Sequence, residues 1–172
     1  MISVAEQLQI LLDVSIAAVL SGAIGIEREK LEKPAGLRTN MIIGSISCFL
    51  VAISPVLSNF IAANVQEQLR VDPIRILQAI IIGVSFIGAG TILKSQEENT
   101  VKNLTTASIL LYSTGIGISV ALHAYVIAIG LTLLGLIINS LNHLKAIRSG
   151  LNAKDGKFRN KYINEQPEQD SK

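Results

Sequence analysis

Charge is scarce in this chain. Asp, Glu, Lys and Arg make up 16% of its 172 residues, 49% are hydrophobic, and the mean hydropathy is +0.49. A soluble domain carries about 25% charged residues and spreads its polar side chains along one face of each helix. Here the charges sit in a few short segments and leave long apolar runs between them, which excludes an ordinary soluble bundle and points to a membrane protein. Cysteine is reduced to Cys48, inside an apolar run. That excludes an internal disulfide and a Cys-based metal cluster and leaves a small packing residue. Residues 1–13 contain no Lys or Arg but do carry Glu6 and Asp13. A secretory signal needs a positive start, so the first run reads as an uncleaved span whose start faces away from the cytoplasm. There is no H-E-x-x-H, and Gly88-Ala89-Gly90 lies in an apolar helix with no strand before it, so neither a zinc-protease site nor a dinucleotide loop is expected. The histidines, His123 and His143, sit at span ends and mark interfaces rather than metal ligands. The chain reads as non-enzymatic, with no nucleic-acid partner.

What is present organises the rest. The apolar stretches give five helices, at about 7–26, 39–63, 74–94, 104–121 and 124–142, each near the ~20 residues that cross a bilayer. Asp72 followed by Pro73 starts the third helix, an N-cap ahead of a proline at the first helical position, and Asn103 offers a similar cap to the fourth. The stretch 104–142 is free of charge, and its expected break is a tight turn over 119–124, around His123. Of the fifteen Lys and Arg, only Arg70 and Arg75 fall in the segments assigned outside. Basic residues stay on the cytoplasmic side, so the expected fold is an all-α, polytopic bundle of five transmembrane helices, N-terminus outside and C-terminus cytoplasmic. Residues 1–142 form the membrane domain. Residues 143–172 form a cytoplasmic tail, basic and then acidic, expected to be largely disordered beyond a helical extension.

Three groups of residues stand out. Between the first two runs lies the charged segment Glu27-Arg28-Glu29-Lys30-Leu31-Glu32-Lys33-Pro34-Ala35-Gly36-Leu37-Arg38-Thr39-Asn40, in which Pro34 to Gly36 reads as a chain reversal. It is either an interfacial anchor of snorkelling, mutually paired side chains, or a polar cap in which Arg38, Thr39 and Asn40 fold back on Glu27 and Arg28. Asp13 is the only acid well inside a span, roughly 10 Å from the outer end by helical rise. Such a carboxylate faces a partner, a cavity or an ion. It is either a proton or cation site or a structural anchor, with Arg75 and hydroxyls on the small-residue faces as expected partners. Small residues recur on the first, third and fourth helices, among them Gly22, Gly25, Gly83, Gly88 and Gly90. These three helices are expected to form the packed centre, because membrane helices associate through close approach and hydrogen bonds. Pro55 reads as a kink or the end of the second span.

The segment Gly22-Ala-Ile-Gly25-Ile-Glu27-Arg28-Glu29, followed by Pro34-Ala-Gly36-Leu37-Arg38-Thr39, resembles the first signature of the MgtC/SapB family of bacterial inner-membrane proteins. Asp72-Pro73-Ile-Arg75-Ile with Gly83-Val-Ser-Phe86-Ile-Gly88-Ala89-Gly90 resembles that family's third-helix block, and Leu104-Thr105-Thr106-Ala107 the start of its fourth helix. The likeness runs in order over roughly residues 10–140. Asn103 stands where the family commonly has glycine, Ser85 likewise, and Leu111 where an aromatic is frequent. By position, the resemblance marks Asp72, Arg75, Thr105 and Thr106 beside the charged segment and the glycines, and it favours the polar-cap reading. The tail is shorter than the C-terminal domain of the longer members, so the chain resembles the short, SapB-like branch. The resemblance implies a role in magnesium homeostasis and in survival at low magnesium or acidic pH, with modulation of the membrane ATP synthase in longer members. The expected partners are the lipid bilayer and other membrane proteins or a second copy. No cofactor is expected and no metal ligands are assigned; Mg²⁺ is the ion to consider. The alternative function is a small Mg²⁺ or H⁺ transporter using Asp13 and the 27–39 cluster, although one acid makes a poor magnesium pore.

Overall fold

The computed structural model describes residues 2–64, 72–95 and 100–140. The expected tail, Arg70 and His143 lie outside these residues. Contacts group the chain into one unit, Met1–Leu136, and a second from Ile137 onward; the bundle is the first of these.

Ser3 and Glu6 start α1 (Val4–Lys30) with a reciprocal capping box, in which the Glu6 amide donates to Ser3 Oγ at 3.2 Å and the Ser3 amide to Glu6 Oε2 at 2.8 Å. The helix ends where Glu32 turns left-handed at φ 52°, and the amides of Glu32 and Lys33 return to the carbonyls of Glu29 and Arg28. This is the Schellman stop, built without glycine. Ala35 is left-handed too. The Asn40 side chain, buried under the turn, donates to Ala35 O at 2.7 Å and Gly36 O at 2.9 Å, which offsets a cost of about 1–2 kcal/mol for each non-glycine residue held there. The expected chain reversal at 34–36 is therefore correct.

Helix α2 (Leu37–Asn64) runs on through Pro55. Proline removes the bond that would satisfy Val51 O, and Ser54 Oγ donates to that carbonyl at 2.8 Å instead. Helix α3 (Pro73–Thr91) begins as expected, with the Ile74 amide donating to Asp72 Oδ1 at 3.0 Å. After it comes a departure from the all-helical expectation. Leu93–Ser95 (β1) and Thr100–Lys102 (β2) pair antiparallel in a short ribbon, Leu93 opposite Lys102. Helix α4 (Leu104–Ala121) starts after Asn103, but Asn103 makes no side-chain cap bond. Its Nδ2 donates across to Thr91 O at 3.1 Å, and its backbone is left-handed at φ 67°. That conformation favours glycine, which fits the family's usual residue there. The expected break at 119–124 is a second glycine-free Schellman stop, with the amides of His123 and Ala124 bonded to Val120 O and Ser119 O and His123 at φ 56°. Helix α5 follows over Tyr125–Ser140.

Helices α1 to α4 are long and apolar enough to cross a membrane; α5, over its described residues, is shorter. The bundle is inside-out relative to a soluble one. Phe86 and Val126 are 82% and 86% exposed, while Asp13, Arg28, Asn40, Ser113 and Thr106 are buried. Apolar surface costs nothing in lipid, whereas a polar group there must find an internal partner.

The packed centre also differs from expectation. It joins α1, α2 and α4, with α3 packed mainly along α4. Small residues made α3 look central, yet a Cβ at Gly83 or Gly90 would meet nothing within 4 Å. The close contacts involve other positions. A Cβ at Gly44 would collide with Ser21 Oγ, and one at Gly117 with Gly44 O, so three backbones meet at Ser21, Gly44 and Gly117. Gly25 and Gly22 are also tight, since an added Cβ would sit 2.7 Å from Leu37 Cα at the first and 2.8 Å from Met41 Cγ at the second. A Cβ at Gly88 would meet only Ala107, its Cβ at 3.3 Å. Gly117→Leu should lower the melting temperature in detergent sharply, by more than the ~1–3 kcal/mol of ordinary overpacking, because backbone must move. Gly83→Ala and Gly90→Ala should leave it unchanged or raise it slightly.

Candidate functional site

Two polar sites occupy opposite ends of the bundle. Asp13 and Arg28 are both on α1 and about 22 Å apart along its axis. At the Arg28 end, the capped reversal brings the start of α2 against the end of α1. Glu29 Oε2 accepts from the Leu37 amide at 3.0 Å, and Gly36 is close enough that a Cβ would sit 3.0 Å from that oxygen. The network then reaches α4. Arg28, 4% exposed, donates through Nη2 to Thr106 Oγ1 at 2.6 Å. Ser113 Oγ donates to Asn40 Oδ1 at 2.7 Å, and Ser21 Oγ to Ser113 O at 3.5 Å. Five buried side chains thus tie α1, α2 and α4 together.

The expected polar cap is rebuilt in part. Arg28 and Asn40 are inside it, whereas Arg38 and Thr39 are exposed and stand outside the network among the described residues. Helix periodicity explains the difference, since Asn40 faces the bundle and the two residues before it do not. Glu27 is half-buried, and its Oε2 has no hydrogen-bond partner. Thr106 is buried and bonded; Thr105 is exposed. Ser113 was not marked by sequence reasoning, because nothing local links it to Asn40.

At the other end Asp13 is 1% exposed. Its partner is not Arg75, which lies 3.9 Å from Asp72 on the exposed first turn of α3. Tyr125 donates to Asp13 Oδ1 at 2.8 Å, Gln9 Nε2 lies 3.4 Å from both carboxylate oxygens, and His123 Nδ1 lies 3.6 Å from Oδ2. Tyr125 Oη is also 3.3 Å from His123 Nδ1, and the two rings stack at 5.9 Å. His123 therefore does more than mark an interface: the left-handed stop after α4 aims it at the acid. Tyr125 carried no signal in the sequence beyond its nearness to the break. A cavity of about 430 Å³ opens beside this group, lined by Glu6, Gln9, Asp13, Ser54, Pro55 and His123. Glu6 and Asp13 make its polar side acidic, and His123 is 59% exposed; the arrangement can lock the α4–α5 turn onto α1.

Among the described residues no group of three His, Cys, Asp or Glu is placed to hold a metal ion. Tyr125→Phe removes a hydrogen bond to a buried acid and should lower stability by about 1.5–3 kcal/mol. In a double-mutant cycle with Asp13→Asn, chemical unfolding should show a coupling of at least ~1 kcal/mol.

Residues 14–146 match the MgtC family. Protein SapB of Bacillus subtilis is 36% identical over 110 residues, covering 64% of this chain and 46% of SapB. Protein MgtC of Salmonella typhimurium is 34% identical over 127 residues, 73% of this chain and 49% of that protein. An Escherichia coli K12 protein named "Putative magnesium transporter YhiD" is 32% identical over 133 residues, 77% of this chain and 60% of its own length. The chain spans about half the length of these curated relatives. No solved structure matches it. With its apolar helices and a match over most of its length, the chain is a membrane protein that belongs to the MgtC family.

Proposed function

We propose that this chain is a multi-pass protein of the bacterial inner membrane that acts in magnesium homeostasis, or in survival of low magnesium and acid, by engaging membrane partners and without catalysing a reaction. The observation that carries this reading is the state of Asp13. Its carboxylate is taken up by Tyr125 and lies beside His123, so it holds helices together as an anchor. Mg²⁺ dehydrates reluctantly and demands several hard oxygen ligands in octahedral geometry. A single engaged carboxylate suits a protein that changes shape better than one that passes the ion.

The proposed topology has five spans with the charged reversal and the C-terminus in the cytoplasm. The distribution of Lys and Arg supports it. The Arg28 end, with exposed Arg38 and Thr39 at its rim, then faces the cytoplasm, and the Asp13 cavity faces outside. The second reading, a small Mg²⁺ or H⁺ transporter, is favoured by that cavity and by the name of the Escherichia coli relative.

Reconstituted protein separates the two. Vesicles containing the wild type should show no Mg²⁺ or proton flux above empty vesicles, and Asp13→Asn should change nothing. A flux present in wild type and lost in Asp13→Asn would establish the transporter instead. A reporter fused after Lys172 should be active in the cytoplasm; activity only outside would refute the five-span arrangement.

A further inference from the structure

Among the described residues, the first turn of α4 and Arg28 both have donors that lack partners. An α-helix begins with amides that have no acceptor of their own. Asn103 stands at the N-cap of α4 yet turns its side chain to Thr91 O on α3, and among the described residues nothing accepts from the amides of Leu104, Thr105 and Thr106. Directly beneath lies Arg28, bonded to the side chain of Thr106. It is 4% exposed, has no carboxylate in ion-pair contact among the described residues, and its Nε is a buried donor with no partner. A guanidinium taken out of water costs several kcal/mol unless an anion sits beside it. Glu27 and Glu29 flank it in sequence: the charge of Glu27 acts on the guanidinium, but Glu27 makes no ion-pair contact with it and leaves its own Oε2 unpartnered, while Glu29 gives its carboxylate to the Leu37 amide.

We infer that the start of α4 and Arg28 together form a binding site for an oxyanion of the phosphate class. The amides of α4 point their partial positive charge at this place, and the guanidinium supplies the full charge and donors suited to phosphate oxygens. Leu104 is 60% exposed and Thr105 is exposed, so the anion reaches the first turn from the bundle end. Two sources carry this chemistry at a membrane face, free phosphate and the headgroup of an anionic phospholipid. Occupancy would close the polar network that ties α1 to α4.

The test uses the full chain. Inorganic phosphate is titrated calorimetrically into protein held in an uncharged detergent. In parallel, thermal unfolding is measured in nanodiscs of phosphatidylcholine with and without phosphatidylglycerol. Arg28→Gln keeps a hydrogen bond to Thr106 but removes the charge, and Thr105→Asp places a carboxylate over the exposed first turn. Each should weaken phosphate binding at least tenfold, or abolish the rise in melting temperature produced by phosphatidylglycerol. Phosphate binding without a lipid effect assigns the site to a free oxyanion, and a lipid effect without phosphate binding assigns it to a headgroup. Should Arg28→Gln fail to fold, Thr105→Asp decides alone. Absence of both effects in the wild type, or effects that persist in the variants, overturns the site.

Discussion

Everything in this bundle depends on three backbones meeting at Ser21, Gly44 and Gly117. The absence of side chains at two of the three positions lets α2 lie between α1 and α4 at a separation no larger residue allows. In lipid there is no hydrophobic drive to bring helices together. Close packing and buried hydrogen bonds must do it, and the hydrogen bonds can form only because the backbones are near. Ser113 reaches Asn40, and Arg28 reaches Thr106, both on the Arg28 side of that crossing.

The same crossing separates two polar ends with different chemistry. One is cationic, with a buried arginine short of an acceptor. The other is anionic, with a buried aspartate held by a tyrosine and a histidine. Between them lies an apolar core that includes Ala17, Cys48 and Ile116. A change in charge at either end is therefore felt by the same three helices. This coupling supports the proposed reading of the protein as a responsive element in the membrane.

Much of this was legible in the sequence, and the failures share a cause. Local rules located the start of α3 at Asp72 and Pro73, the reversal at 34–36 and the break at His123, because each depends on residues within a few positions. The MgtC-family resemblance marked Arg28 and Thr106 as notable but not that they touch. Asn40 and Ser113 are 73 positions apart, and Asp13 and Tyr125 are 112 apart, and no periodicity connects them. Small-residue content pointed to α1, α3 and α4 as the packed centre and missed α2, whose Gly44 makes the closest approach. Gly83 and Gly90 face open space, while Gly44 and Gly117 carry the contact. Asn103 looked like a cap because its residue type suits one; its left-handed backbone sends the side chain elsewhere.

Cys48 reports on the crossing directly, since it is the chain's single cysteine, fully buried in the core. The most direct measurement is its rate of reaction with a small maleimide in native detergent-solubilised protein, in wild type and in Gly44→Leu. Burial at a three-helix contact predicts strong protection in the wild type relative to denatured protein, with most of it lost when leucine wedges the crossing open. A wild-type Cys48 that reacts as fast in the native protein as in the denatured one, or protection that survives Gly44→Leu, would contradict the account.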